Sequence, residues 1–124
     1  MAIIRRFEDL EIWQMARQQV IVISQLKLDL RFDPGRQIQR SASSVMDNIA
    51  EGFARGGRKE FKNFLIIAKG SNSEVRSQLY RSADLSLITE QTAGELLKTN
   101  DLLGKKISTL ISYLKTSDRK GPNY

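Results

Sequence analysis

Apolar residues recur along this chain at three- and four-residue steps, which is the period of one helix face, and no stretch alternates convincingly as a strand would. Leu10, Trp13, Ala16, Val20 and Ile23 trace a first stripe. Glu8, Asp9 and Glu11 stand at the end where negative charge suits the helix dipole, so the pattern predicts a helix from about Glu8 to about Leu28. Asp33-Pro34-Gly35 then offers an Asp cap with proline at the first helical position, and Ile38, Ala42, Val45, Ile49 and Phe53 form a second stripe ending near Arg55. Gly56-Gly57 marks a tight turn. Beyond it Phe61, Phe64, Ala68, Val75, Leu79 and Ala83 predict a long third helix that carries Gly70 in its interior. That pattern fades from Leu85 to Ile88. Thr89, or Thr92 with Glu95 as a capping box, starts a fourth helix whose seam is Ala93, Leu96, Leu103, Ile107, Leu110 and Leu114.

Short connections make consecutive helices neighbours, so the predicted fold is all-α, an antiparallel up-down-up-down four-helix bundle over residues 1–116. Residues 117–124 are expected to be a flexible C-terminal tail. Two stretches carry more apolar surface than one core can use: Val20-Ile21-Val22-Ile23 and Phe64-Leu65-Ile66-Ile67-Ala68. Successive helical residues lie about 100° apart, so four in a row cover nearly the whole circumference. The outer part of such a helix needs a cover, which predicts self-association through an interface that includes Val22, Ile66 and Ile67.

Composition narrows the chemistry. A chain of 124 residues forms one modest domain. It contains no histidine and no cysteine, which removes the commonest general base, the thiol nucleophile and the soft metal ligands together. The Glu-x-x-His pairs of the usual di-metal bundle are therefore missing, no metal and no cofactor is expected, and the chain reads as a non-enzyme. Gly52-Phe-Ala-Arg-Gly-Gly57 has the glycine spacing of a phosphate-binding loop. Arg58-Lys59 follows instead of Lys-Ser/Thr, however, and no strand precedes it, so it reads as a helix-ending loop. Nothing is long and apolar enough to span a membrane. Arg5 and Arg6 are followed by acids where a signal peptide needs its apolar run, and the expected location is the cytoplasm.

Three segments carry a family resemblance: Phe7-Glu-Asp-Leu10-Glu-Ile-Trp13, then Gln39 to Gly52 with its Asn48-Ile49-Ala50-Glu51-Gly52, then Phe61 to Glu74 with its Gly70-Ser71-Asn-Ser-Glu74. Over about residues 5 to 114 the chain resembles the four-helix-bundle proteins encoded by intervening sequences of bacterial 23S ribosomal RNA, a fold that the accessory protein of diversity-generating retroelements also resembles. The resemblance implies a homopentamer, a basic surface and no known catalytic activity. It also implies binding of RNA, another nucleic acid or a ribonucleoprotein, or a protein partner such as a reverse transcriptase. Gly57 departs from the family pattern, which often has a serine that caps the third helix.

The same residues have a physical reading. In a hairpin about Gly56-Gly57, residues equally far from the turn lie side by side, which pairs Arg40 with Ser73 and Glu74, and Ser43 with Gly70. An Arg40–Glu74 ion pair is therefore expected, and Gly70 reads as the place where two helices approach closely. Asn48 and Glu51 are three apart, Glu51 is four from Arg55 and level with Lys62, so a polar cluster near the turn is expected. Together with Gly52 and Ser71 these residues read as a structural polar motif that fixes helix register.

Charge then selects the partner. Lysine and arginine outnumber acids 20 to 14, a net charge of +6, and the excess is uneven. Arg55, Arg58, Lys59 and Lys62 surround the turn between the second and third helices. Lys105, Lys106 and Lys115, with Arg119 and Lys120, populate the C-terminal part. These are candidate phosphate contacts, and five such chains in a ring would carry about +30. No aromatic platform accompanies them, so any nucleic-acid binding is expected to favour backbone charge over base sequence. The sequence thus predicts a homo-oligomeric RNA-binding accessory or scaffold. The alternative is a structural oligomer that binds a protein and has no nucleic-acid role.

Overall fold

The computed structural model describes residues 3–116, so the expected tail at 117–124, with Arg119 and Lys120, lies outside the described residues. Four α-helices follow a single 3-10 turn, and no strand occurs among the described residues. They are α1 (Glu11–Gln25), α2 (Gly35–Ala54), α3 (Arg58–Asp84) and α4 (Glu90–Thr116). None is long and apolar enough to cross a membrane.

Helix α1 is shorter than its stripe suggests. Phe7–Asp9 form the 3-10 turn, Leu10 is extended, and Lys27 turns to φ 54, a left-handed value that ends any helical run. The predicted acids at Glu8 and Asp9 thus belong to a separate turn, which the apolar period alone does not distinguish from helix. The expected Asp33 cap is also replaced: Pro34 is the N-cap of α2, without a side-chain hydrogen bond, and Asp33 pairs with Arg36 at 3.6 Å. In the same connection Asp29 receives two hydrogen bonds from the Arg31 side chain and one from its backbone, which hold its carboxyl below the usual range. At α4 the cap is Thr89, whose Oγ1 accepts from the Thr92 N–H at 3.1 Å; Thr92 lies inside the helix.

The predicted stripes form the core, with small rotations. Ile38, Ala42, Val45, Ile49, Phe61, Ala68, Val75 and Ile107 are fully buried, while Leu65 and Ile111 face inward more completely than their neighbours Phe64 and Leu110. Each large side chain so buried contributes about 1.5–3 kcal/mol relative to exposure. The core divides in two. One cluster contains Trp13, Ile49, Phe61, Leu103 and Ile107; the other contains Ile23, Ile38, Val75, Leu79 and Leu96.

Between the clusters lies a buried amide layer. Asn100 Nδ2 donates to Gln19 Oε1 at 2.9 Å and to Asn72 Oδ1 at 3.0 Å, Gln19 Nε2 donates to Asn72 Oδ1 at 3.2 Å, and Asn72 Nδ2 donates to the Asn100 carbonyl at 3.0 Å. Three helices are thereby tied at one height by groups whose burial is costly unless every one is paired.

Helices α2 and α3 pack along their length. Ser41 Oγ donates to Glu74 at 3.3 Å, the Ser44 and Ser71 hydroxyls hydrogen-bond at 2.8 Å, and Gly52 abuts Phe61 and Phe64. This register is offset from one centred on Gly56-Gly57. Gly56 adopts φ 84 and Gly57 is the extended N-cap of α3, so the chain reverses past the glycine pair's midpoint. Two expectations fail as a result. Arg40 and Glu74 form no ion pair, and Ser44 takes the place expected of Ser43. The role assigned to Gly70 also fails, because a Cβ there would meet nothing within 4 Å. The close approach is at Gly52, where a Cβ would stand 2.5 Å from Phe64 Cβ.

Candidate nucleic-acid interface

The basic residues around the α2–α3 turn are held in unequal ways. Arg55 is committed to carboxylates: it bonds Glu51 at 2.9 Å, approaches Glu60 at 3.8 Å, and lies over the Phe64 ring at 5.2 Å. Its charge is therefore largely compensated. Arg58 is half-buried with its guanidinium over the Tyr113 ring at 5.8 Å, while Lys59 is exposed and Lys62 half-buried on the next turn. The Arg58–Tyr113 contact brings the start of α3 to the end of α4, where Lys115 is exposed. Lys115, far away in sequence, thus shares one end of the bundle with Arg58, Lys59 and Lys62.

Lys105 and Lys106 are placed otherwise. Lys105 pairs with Asp101 at 3.0 Å, one helical turn away, and Lys106 pairs with Glu11 at 3.0 Å, joining α4 to the start of α1. Lys69 and Arg76, which the charge pattern does not single out, share a groove between α3 and α4 with Lys105 and Asp101. Arg76 reaches Asp101 at 4.0 Å and the Leu97 carbonyl at 3.4 Å. The seven-residue spacing of Lys69 and Arg76 on α3 was a signal for this groove, but adding Lys105 required knowing that α3 and α4 are neighbours.

The helix start adds to the side chains. Gly57 supplies no side-chain cap to α3, and the positive end of the α3 dipole stands beside Arg58 and Lys59. The opposite dipole end of α4 lies near it, with Lys115 in its last turn.

The polar motif separates into two parts. Asn48 Nδ2 donates to the Ser44 carbonyl at 2.8 Å and to Ser44 Oγ at 3.0 Å, so Asn48 and Ser71 both converge on Ser44 at the α2–α3 seam. Glu51 instead joins Arg55 outside, so no single cluster unites Asn48 with Glu51. Arg40 and Glu74, both exposed, border a surface depression of about 220 Å³ together with Ser41, Ser44 and Ser71.

Of the predicted interface residues, Ile66 and Ile67 are 48% and 52% exposed on α3. Val22 is half-buried against the second core cluster, and Ile21 is the more exposed of the pair.

The profile of the 23S rRNA-intervening sequence proteins matches residues 8–109. Among curated proteins none matches. The fold is similar to the crystal structure of a protein with unknown function from the S23 ribosomal protein family of Bacteroides thetaiotaomicron, with a TM-score of 0.74 and 21% identity, over 81% of this chain and 97% of that one.

Proposed function

The chain belongs to the 23S rRNA-intervening sequence protein family, and from that premise we propose that it is a non-enzymatic, cytoplasmic homo-oligomer that binds RNA or a ribonucleoprotein through one basic end of its bundle. The observation that carries this reading is the meeting of Lys59 and Lys62 with Lys115 at one end, where the contact of the largely buried Arg58 guanidinium with Tyr113 joins the uncapped start of α3 to the end of α4. Such a surface attracts phosphate through its side-chain charge, the negative end of α4 offsetting the positive end of α3. The groove containing Lys69, Arg76 and Lys105 extends basic character along the flank.

An up-down-up-down, antiparallel course of the helices fits the paired positions: Ser41 with Glu74 and Ser44 with Ser71 between α2 and α3, and Glu11 with Lys106 and Gln19 with Asn100 between α1 and α4. In each pairing one residue number rises as the other falls. A pentameric ring, in keeping with the family resemblance, would repeat the basic end about an axis and make weak phosphate contacts act together. The exposed Ile66 and Ile67 support assembly.

Binding to several single-stranded RNAs of unlike sequence tests the reading. Affinities within a few-fold of one another are expected, because phosphates carry the interaction and no base-reading group is evident. Strong dependence on sequence, or no binding to any RNA, would refute it.

A second reading is a structural oligomer with a protein partner. It is favoured by Leu30 and Phe32 in the α1–α2 connection and Leu85 and Leu87 after α3, all more than half exposed. It predicts no salt-dependent RNA binding.

A further inference from the structure

Helices α1 and α3 stand at diagonal corners of the bundle. Each packs on α2 and α4, and they face one another across the core, where Gln19 meets Asn72. The exposed Ile66 and Ile67 of α3 form a convex apolar ridge, bracketed on the same helix by Lys62 and Lys69. On the α1–α4 side the two helices leave a groove of about 400 Å³, with Leu96 and Leu103 on its floor, Met15 and Val22 on its wall, and Glu95 exposed among its polar residues. The chain thus carries one apolar ridge and one apolar groove, on different faces.

We propose that the Ile66–Ile67 ridge of one copy seats in the α1–α4 groove of the next, so that copies join head to tail. This rests on the homo-oligomer reading given above and assigns the partner of each face. A two-fold contact would seat both ridges in both grooves only if ridge and groove shared one face, and here they lie on different faces of the bundle. A head-to-tail contact covers both with one interface. The occupant is a second copy because the two faces complement each other in charge as well as in shape: Glu95 borders the groove, and lysines bracket the ridge. Gly70 supports close approach from outside. It lies one turn beyond Ile66 and Ile67, a Cβ there would meet nothing within the chain, and a mid-helix glycine is unfavourable unless something uses the space.

Complementation of two variants tests the arrangement. Ile67→Asp spoils the ridge, and Thr99→Arg blocks the groove from an exposed lining position. Each variant alone should run as the 14.1 kDa monomer in light scattering, with wild-type helical circular dichroism. Mixed in equal amounts they should form a two-chain species, because the groove-blocked chain keeps its ridge and the ridge-spoiled chain keeps its groove. Gln18→Arg, at a second exposed position of the same groove, serves if Thr99→Arg fails to fold. Wild type that assembles, with variants that stay assembled or a mixture that stays monomeric, overturns the ridge-in-groove contact and leaves self-association standing. A monomeric wild type overturns both.

Discussion

Asn100 on α4 donates its amide to Gln19 on α1 at 2.9 Å, across a core that is otherwise apolar on both sides of the contact. Asn72 completes the layer from α3, and all three side chains are at least nine-tenths buried. Replacing Asn100 by alanine strands Gln19 Oε1 away from water and leaves Asn72 Oδ1 with only its 3.2 Å bond from Gln19 Nε2. The expected loss is about 1–3 kcal/mol, the cost of one buried unpaired group. Urea unfolding followed by circular dichroism would measure it, and a loss below about 0.5 kcal/mol would mean that the layer is not closed to water.

The glycines at Gly52 and Gly70 should respond oppositely to alanine. A Cβ at Gly52 would overlap Phe64, so Gly52→Ala is expected to cost about 1–3 kcal/mol through forced separation of α2 and α3. Gly70 has open space, and Gly70→Ala should stabilise the fold of a single chain by up to about 1 kcal/mol through helix propensity. Thermal unfolding of the two variants in the Ile67→Asp monomer background separates these effects from assembly.

Arg40 and Glu74 should behave as independent surface residues. Arg40→Ala is expected to change stability by less than about 0.5 kcal/mol. Glu74→Ala loses only its long bond from Ser41 and is expected to cost less than about 1 kcal/mol. A double-mutant cycle showing coupling above about 1 kcal/mol would restore the ion pair that the sequence suggested.

The apolar period made the helices legible because each stripe, such as Ile38, Ala42, Val45 and Ile49, faces the core. Helix ends were less legible where local backbone geometry decides them: the Phe7–Asp9 turn, the positive φ of Lys27 and the asymmetric reversal through Gly56 have no periodic signature. That asymmetry alone displaced the α2–α3 pairing. The amide layer was missed, although a signal existed. Gln19 lies between Ala16 and Ile23, Asn72 between Ala68 and Val75, and Asn100 between Leu96 and Leu103, each at the stripe position that an apolar residue would otherwise occupy. Polar residues at such positions are usually read as surface, and only the tertiary structure brings the three to one height. For the basic interface the residues were legible as charge. Which of them are spent on partners, as Arg55, Lys105 and Lys106 are, depended on carboxylates that only the fold places.

The central claim, phosphate recognition by the basic bundle end, is tested most directly by the salt dependence of RNA binding in wild type and in the double variant Lys59→Glu/Lys115→Glu, both exposed and away from the Ile66–Ile67 ridge. For wild type the logarithm of the affinity should fall linearly with the logarithm of salt concentration, by about 0.7 for each phosphate neutralised on a single strand. The double variant, confirmed as folded and assembled, should bind all RNAs more weakly with a slope shallower by roughly 1 or more. A wild-type affinity indifferent to salt, or a variant that keeps both the wild-type affinity and the wild-type slope, would contradict the account.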